Sequence, residues 1–161
     1  MGGTVTPFRF SRILVPLDGS ECAECALAPA VSIARAMDAE LVLFRVEDPI
    51  PRTRTLLSLP DVYGEVVAAA YREAGEYLAD VKARLAYGRI ITVHEPDEAG
   101  AAHQILEYSA TQGIDLIVFS SHGYSGVKRW THGAVADKIV DGAWSATLMI
   151  RCHQDEPEEN E

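Results

Sequence analysis

The chain has 161 residues, 48% of them apolar and 24% charged, which is the composition of one soluble domain of ordinary size. No apolar run reaches the roughly 20 residues that span a membrane, and residues 1–10 lack the apolar core of a secretory signal. We therefore expect a cytoplasmic protein. Its three cysteines, an odd number, are not expected to form a disulfide framework. The net charge is −10 and Lys and Arg are not clustered, which argues against a nucleic-acid partner.

Five short segments, several of them continuously apolar, are typical of strands that are covered on both faces. The predicted strands are Arg12 to Pro16, Leu41 to Val46, Ile90 to Val93, Leu116 to Ser120 and Thr147 to Ile150. Between them, apolar residues recur three or four positions apart, which predicts helices. These helices cover Cys22 to Ala34, Val67 to Leu85, Ala102 to Ser109 and Val135 to Val140. Gly88 and Gly113 are predicted to end the second and third helices.

The strict alternation of strand and helix predicts a single α/β domain with a parallel sheet and right-handed crossovers. We place this domain at residues 11–152, after an N-terminal extension of residues 1–10. Residues 153–161 form a predicted acidic, disordered tail. The connection from Asp48 to Tyr63 contains three prolines and fits a mobile lid, a dimer loop or a plain surface loop.

The first strand runs directly into a polar turn, Asp18-Gly19-Ser20. Open parallel sheets bind ligands beyond the carboxyl ends of their strands, where the strand order reverses. Ser20 is a predicted helix N-cap, and a carboxylate at Asp18 suits a ribose hydroxyl, an adenine amino group or a metal ion. The alternative is that Asp18 and Ser20 only build the turn and cap the helix.

The fourth strand runs into a second polar loop, which contains His122, Gly123, Gly126 and Gly133. Glycines allow close approach of the backbone, and a helix that begins after Gly133 presents free amides and a positive dipole end. These features predict a phosphate-binding loop. It is neither a Walker A loop nor the dinucleotide G-x-G-x-x-G, since neither pattern occurs.

Four motifs along the chain resemble the universal stress protein family over Arg12 to Arg151. Residues 13–20 read ILVPLDGS, residues 41–46 LVLFRV, residues 115–123 DLIVFSSHG and residues 133–140 GAVADKIV. The resemblance implies a doubly wound domain with a five-stranded parallel sheet of order 3-2-1-4-5 and helices on both faces.

The ATP-binding branch of that family carries G-x2-G-x9-G-[ST] after the fourth strand. The second and third glycines fall on Gly123 and Gly133, whereas the first is replaced by Ser120 and the final hydroxyl residue by Ala134. A hydrogen bond to a charged group contributes roughly 1.5–3 kcal/mol, so the missing hydroxyl predicts weakened rather than absent binding, or a preference for fewer phosphates. The resemblance implies a site for ATP, ADP or AMP, with or without Mg²⁺, formed by Pro16, Leu17, Asp18, Val46, Phe119, Ser120, His122, Gly123, Gly133, Ala134 and Val135. Lys128 and Arg129 are near enough in sequence to reach the phosphates as well.

The predicted function is therefore an adenine-nucleotide-binding stress-response or signalling module, with an unidentified protein partner and at most slow ATP hydrolysis. No Ser-His-Asp constellation or nucleophile elbow supports a dedicated enzyme. Two alternatives stay open. One is a protein-interaction module that has lost its nucleotide, and the other is a thiol redox protein that uses Cys22 and Cys25. The apolar last strand would form a sheet edge, and the resemblance implies a homodimer through Ala146 to Arg151.

Overall fold

The computed structural model describes residues 8–47, 59–96, 99–121 and 134–151. Its five strands form one parallel sheet in the order β3-β2-β1-β4-β5, as predicted. The strands are β1 (Arg12–Pro16), β2 (Glu40–Glu47), β3 (Ile90–Pro96), β4 (Leu116–Ser120) and β5 (Ala146–Ile150). The helices are α1 (Glu21–Glu24), α2 (Leu27–Met37), α3 (Pro60–Leu85), α4 (Ala101–Thr111) and α5 (Ala134–Gly142).

Side chains from the two faces of the sheet form two separate apolar clusters. One face packs against α1, α2 and α3, and includes Val15, Leu43 and Leu78. The other packs against α4 and α5, and includes Phe44 and Ile139. Because both faces are covered, the strands can be continuously apolar, and the prediction of helices on both sides is confirmed.

The strand order reverses at β1, which lies between β2 and β4. β1 pairs with β2 through Pro16 opposite Phe44, and with β4 through Leu14 opposite Ile117. Connections leave β1 and β4 toward opposite faces, so a crevice opens beyond their carboxyl ends. The predicted nucleotide-binding residues of β1 and β4 lie at this edge.

The first predicted helix is broken into two, α1 and α2. Pro29 is the physical reason, because a proline has no N–H and its ring clashes with the carbonyl four residues earlier, which here belongs to Cys25. The backbone turns at Cys25 and Ala26, and α2 restarts at Leu27 with the proline in its first turn. The apolar spacing from Cys22 to Ala34 did not reveal this interruption.

Helix α3 ends at Leu85 as predicted, but it differs from the prediction in its start and in its C-terminal cap. It begins at Pro60, within the connection predicted from Asp48 to Tyr63, and residues 48–58 lie outside the described part of the chain. Its C-cap is Ala86, with φ of 46°, so the prediction that Gly88 ends this helix is wrong. Alanine can act as the C-cap here because the guanidinium of Arg35 donates to the carbonyls of Leu85 and Ala86 at 3.1 and 3.2 Å.

The predicted stop of the third helix, at Gly113, is confirmed. Helix α4 has its C-cap at Gln112, and Gly113 follows with φ of 65°, the left-handed conformation that glycine adopts without strain. None of the helices that the structure describes is both long and apolar enough to cross a membrane.

Candidate functional site at the carboxyl edge of the sheet

The turn after β1 is held by hydrogen bonds between its own side chains. The Asp18 oxygen Oδ1 accepts from the Ser20 backbone N–H at 2.9 Å and from the Ser20 hydroxyl at 2.6 Å. Gly19, between them, has φ of 86°, which few other residues adopt. The turn begins at buried Leu17, whose N–H donates to the Phe44 carbonyl at 2.8 Å. Asp18 is thereby presented on the surface at the end of β1.

Ser20 is the N-cap of α1, as predicted. Its hydroxyl oxygen accepts from the Ala23 N–H at 3.1 Å, and its backbone is extended. The turn-building role that was the alternative reading of Asp18 and Ser20 is therefore present. It leaves the carboxylate of Asp18 exposed at the strand end, so the structural role and a ligand role are compatible.

Val46 lies on the part of β2 that extends past β1. The register between the two strands ends at the pair Pro16 and Phe44, and β2 continues for three more residues to Glu47. Val46 is opposite Glu95 of β3 on its other side. Its backbone therefore borders the space beyond the end of β1, where the adenine edge was predicted to lie.

The end of β4 is next to the end of β1. Continuing the register of Leu14 with Ile117 places Pro16 beside Phe119. Phe119 is buried in the second apolar cluster, whereas Ser120 is partly exposed. The following N–H, of Ser121, donates to the Ile150 carbonyl at 2.8 Å, which fixes the exit of β4 against β5.

Helix α5 starts at Ala134, and the first two residues, Ala134 and Val135, are exposed. The structure thus brings Pro16, Leu17, Asp18, Val46, Phe119 and Ser120 to one edge of the sheet. Other predicted site residues lie outside the described residues, namely His122, Gly123, Lys128, Arg129 and Gly133.

A second polar group at this edge escaped the sequence analysis. Arg45 of β2 is mostly buried, and its guanidinium carbon lies 5.1 Å from the centre of the Tyr77 ring on α3. The arginine Nε is 3.9 Å from Oε1 of buried Glu47. A side chain added at Gly19 would meet the arginine Nη1 at 3.3 Å, so Arg45 also lies directly behind the Asp18–Ser20 turn.

Tyr77 connects this group to α1. Its hydroxyl donates to Glu24 Oε1 at 3.1 Å, and Arg84 donates to both oxygens of the same carboxylate at 3.0 Å. Burial, followed by the charge of Glu24 and the hydrogen bond to it, raises the pKa of Tyr77 well above its usual value of about 10. The Tyr77 hydroxyl therefore stays protonated near neutral pH and can donate its hydrogen bond to Glu24. The sequence signal for this group was Arg45 itself, the one positively charged residue in the apolar strand LVLFRVE at residues 41–47. A charged side chain that is buried in a strand needs polar partners.

Metal binding by protein side chains alone finds no support in the described ranges, which contain no group of three or more His, Cys, Asp or Glu side chains that could hold an ion.

Comparison with known proteins decides the family. A model of the universal stress protein family matches residues 9–151. The chain belongs to the universal stress protein family. It is similar to the universal stress protein MJ0531 of Methanocaldococcus jannaschii, with 27% identity over 88% of this chain and 82% of that protein. It is equally similar to YxiE of Bacillus subtilis, with 27% identity over 88% of this chain and 99% of YxiE.

Solved structures of the family agree in fold. The universal stress protein UspA from Lactobacillus plantarum superposes with a TM-score of 0.78 and 27% identity, over 90% of this chain and all of the other. Two more distant structures contain a nucleotide. One is a universal stress protein in complex with cAMP, at 19% identity, TM-score 0.60, and coverage of 89% and 98%. The other, from Archaeoglobus fulgidus in complex with dAMP, has 15% identity, TM-score 0.62, and coverage of 89% and 99%.

Proposed function

We propose that this universal stress protein binds an adenine nucleotide, ATP or its shorter relatives, at the carboxyl edge of the sheet and acts as a stress-response or signalling module. The observation that carries the proposal is the exposed Asp18 carboxylate, held by Ser20 at the point where the strand order reverses. The cAMP and dAMP complexes of similarly folded family members support the choice of an adenine nucleotide.

The adenosine would lie over the ends of β1 and β2. A carboxylate at Asp18 can accept from the ribose hydroxyls, and the backbone of Val46, beyond the last pair with β1, can meet the adenine edge. Leu17 and Phe119, buried at the ends of β1 and β4, would give this region an apolar character that suits a planar base.

The phosphates would lie between the end of β4 and the start of α5. The amides at the first turn of α5, from Ala134 onward, have no partner within the helix and point toward an anion placed there. Ala134 has no hydroxyl to add to them. We therefore expect the affinity for ATP to exceed that for AMP by less than it would with serine at this position.

Calorimetric titration of the nucleotide-stripped full chain with ATP, ADP and AMP, with and without Mg²⁺, tests the proposal. We expect dissociation constants in the micromolar range, a free energy of about 8 kcal/mol. In Ala134→Ser the ATP affinity should rise about tenfold and the AMP affinity should stay unchanged, because a hydroxyl would gain a charge-assisted hydrogen bond. No heat from any of the three nucleotides at millimolar concentration would contradict the proposal and favour a protein-interaction module without a nucleotide.

We also propose that two copies associate through the last strand, residues 146–151. β5 is an edge of the sheet, with Ala146 and Thr147 exposed and the remaining residues only partly buried. Sedimentation velocity at micromolar concentration should give a dimer, and Thr147→Lys should shift it toward monomer by placing like charges in the interface. A monomer at every concentration would contradict this assembly. The cytoplasmic location and the limits of the tail remain predictions.

A further inference from the structure

The segment Cys22-Ala23-Glu24-Cys25 follows the Asp18–Ser20 turn, and its two thiols have no role in the proposed nucleotide site. Both cysteines of this segment are thiols in the structure, Cys22 buried and Cys25 exposed. We propose that they form a two-cysteine redox site that reduces a hydroperoxide and becomes an intramolecular disulfide. This proposal does not rest on nucleotide binding.

The backbone between the two cysteines brings them into register. The Cys25 N–H donates to the Cys22 carbonyl at 3.2 Å, and the next N–H, of Ala26, donates to Ala23 at 3.2 Å. These are the bonds of a 3₁₀ turn, in which residues three apart lie above one another, with Cα atoms about 6 Å apart. Disulfides span Cα separations of roughly 4.4–6.8 Å, so the Cα separation expected for this turn is compatible with a bridge.

The Cys25 side chain points back along the chain, toward the turn that precedes it. Its Sγ lies 3.6 Å from the Glu21 carbonyl oxygen, whose carbonyl carbon is bonded to the Cys22 nitrogen. The sulfur therefore lies back over the turn that contains Cys22. In the proposed reaction, the Cys22 side chain rotates about its Cα–Cβ bond to meet this sulfur.

The turn is a built feature of the chain rather than a frayed helix end. Pro29 interrupts the helix at Cys25, and the Ser20 hydroxyl caps Ala23 at 3.1 Å. Between the two cysteines, Glu24 is tied to α3 through Arg84 and Tyr77. The backbone that carries both thiols is therefore anchored on each side.

The different exposure of the thiols assigns their order of reaction. Exposed Cys25 meets the peroxide: its thiolate attacks one peroxide oxygen, the O–O bond breaks, and the leaving oxygen takes a proton to give an alcohol or water. The sulfur of Cys22, a residue that is only 6% exposed, then attacks the Cys25 sulfenic acid. The S–S bond forms, the S–O bond breaks, and the hydroxyl leaves as water with the Cys22 proton. Two thiols supply the two electrons that the hydroperoxide takes up.

The test uses the full chain with Cys152→Ser, so that Cys22 and Cys25 are the two cysteines left. The protein receives one equivalent of hydrogen peroxide, is alkylated and is digested with trypsin, which releases residues 13–35 with both cysteines in one peptide. We expect this peptide to be two hydrogens lighter and unalkylated, and dithiothreitol to restore alkylation of both thiols.

Two variants keep the test decisive. Cys25→Ser replaces an exposed side chain. It should slow the loss of thiols at least about tenfold, because the thiol that remains, Cys22, is shielded from peroxide. Cys22→Ala should stop at a Cys25 sulfenic acid after one equivalent of peroxide and give a sulfinic acid after a second equivalent, since no second thiol resolves the sulfenic acid. The proposal is overturned if the parent protein gives a sulfenic or sulfinic acid at Cys25 with Cys22 still alkylated, or if both thiols are alkylated after peroxide. Circular dichroism of each variant establishes that it is folded.

Discussion

The two edges of the sheet use their polar residues differently. At the amino edge, the Asp115 carboxylate accepts from the backbone N–H groups of Ser11 and Arg12 at 2.7 and 3.1 Å. Arg12 in turn reaches Glu40 and the Gln112 carbonyl, both at 2.6 Å. The charged side chains at this edge therefore bond to neighbouring strands and connections of the same sheet. At the carboxyl edge, Asp18 bonds within its own turn and remains exposed.

The connections between strands and helices at the two edges also differ, in length. Chain segments at the amino edge are short, residues 38–39, 86–89, 112–115 and 143–145, whereas two at the carboxyl edge are long, residues 48–59 and 121–133. Longer connections beside a rigid sheet give more room for binding residues than short ones do. The amino edge carries structural contacts, whereas the ligand proposed for the carboxyl edge would have the longer connections beside it, and each role can be tested separately.

The largest expected effect is on nucleotide affinity, from Asp18→Ala. Loss of a charged acceptor should raise the dissociation constant for ATP about ten- to a hundredfold. Asp18→Asn is the matched control, because its amide oxygen can still accept from Ser20 and maintain the turn. Calorimetry should show that Asn also loses most of the affinity. Full affinity in Asp18→Asn would mean that Asp18 acts through the turn.

The opposite edge should respond in stability rather than binding. Asp115→Ala leaves the N–H groups of Ser11 and Arg12 without their acceptor and should lower the free energy of unfolding by about 2 kcal/mol. Urea unfolding measures this loss, and Asp115→Asn, which keeps one acceptor, should lose about half. The nucleotide affinity should stay unchanged. A parallel fall in affinity would break the distinction between the edges.

A smaller effect is expected from Gly19→Ala. The backbone φ of 86° costs an L-residue about 1–2 kcal/mol, and the new methyl group would press on the Arg45 guanidinium at 3.3 Å. Stability should fall by about that amount, and ATP affinity should fall several-fold as the turn shifts. Thermal unfolding and calorimetry on the same sample check both. An unchanged affinity would show that the turn does not position the ligand.

The smallest effect is from Tyr77→Phe, and it depends on pH. Because the pKa of folded Tyr77 is raised, its contribution to stability is complete below the unfolded value of about 10 and is lost as the pH rises above it. The variant should be about 1 kcal/mol less stable at pH 8, and the gap should narrow at pH 11. Tyr108, whose pKa burial also raises, titrates equally in both proteins. A constant gap in urea unfolding would contradict the raised pKa.

Most of the fold could be predicted because local patterns carried it. All five strands were found within two or three residues of their ends, since runs such as LIVF at residues 116–119 are buried on both faces. Errors arose where a single residue overrides a pattern. Pro29 interrupts an apolar spacing that looked continuous, and Arg35 lets Ala86, rather than Gly88, end α3. The Arg35 contact joins residues 50 positions apart, beyond what spacing reveals, whereas the effect of Pro29 is local and could have been read from the sequence.

Part of the candidate site could be predicted from the sequence, and part of it could not. Asp18 and Ser20 are adjacent in sequence at a strand end, so their turn and cap were predictable. The group formed by Arg45, Tyr77 and Glu24 comes from β2, α3 and α1, and no local pattern brings these elements together. The sequence showed only that a charged residue interrupts an apolar strand.

The most direct test of the central claim is to map ATP onto the folded chain through backbone amide chemical shifts. The account predicts the largest shifts at Asp18 to Ser20, Arg45 to Glu47 and Phe119 to Ser121, with little change at Ser11, Arg12 and Asp115. Shifts concentrated at the amino edge, or none at saturating ATP, would contradict it.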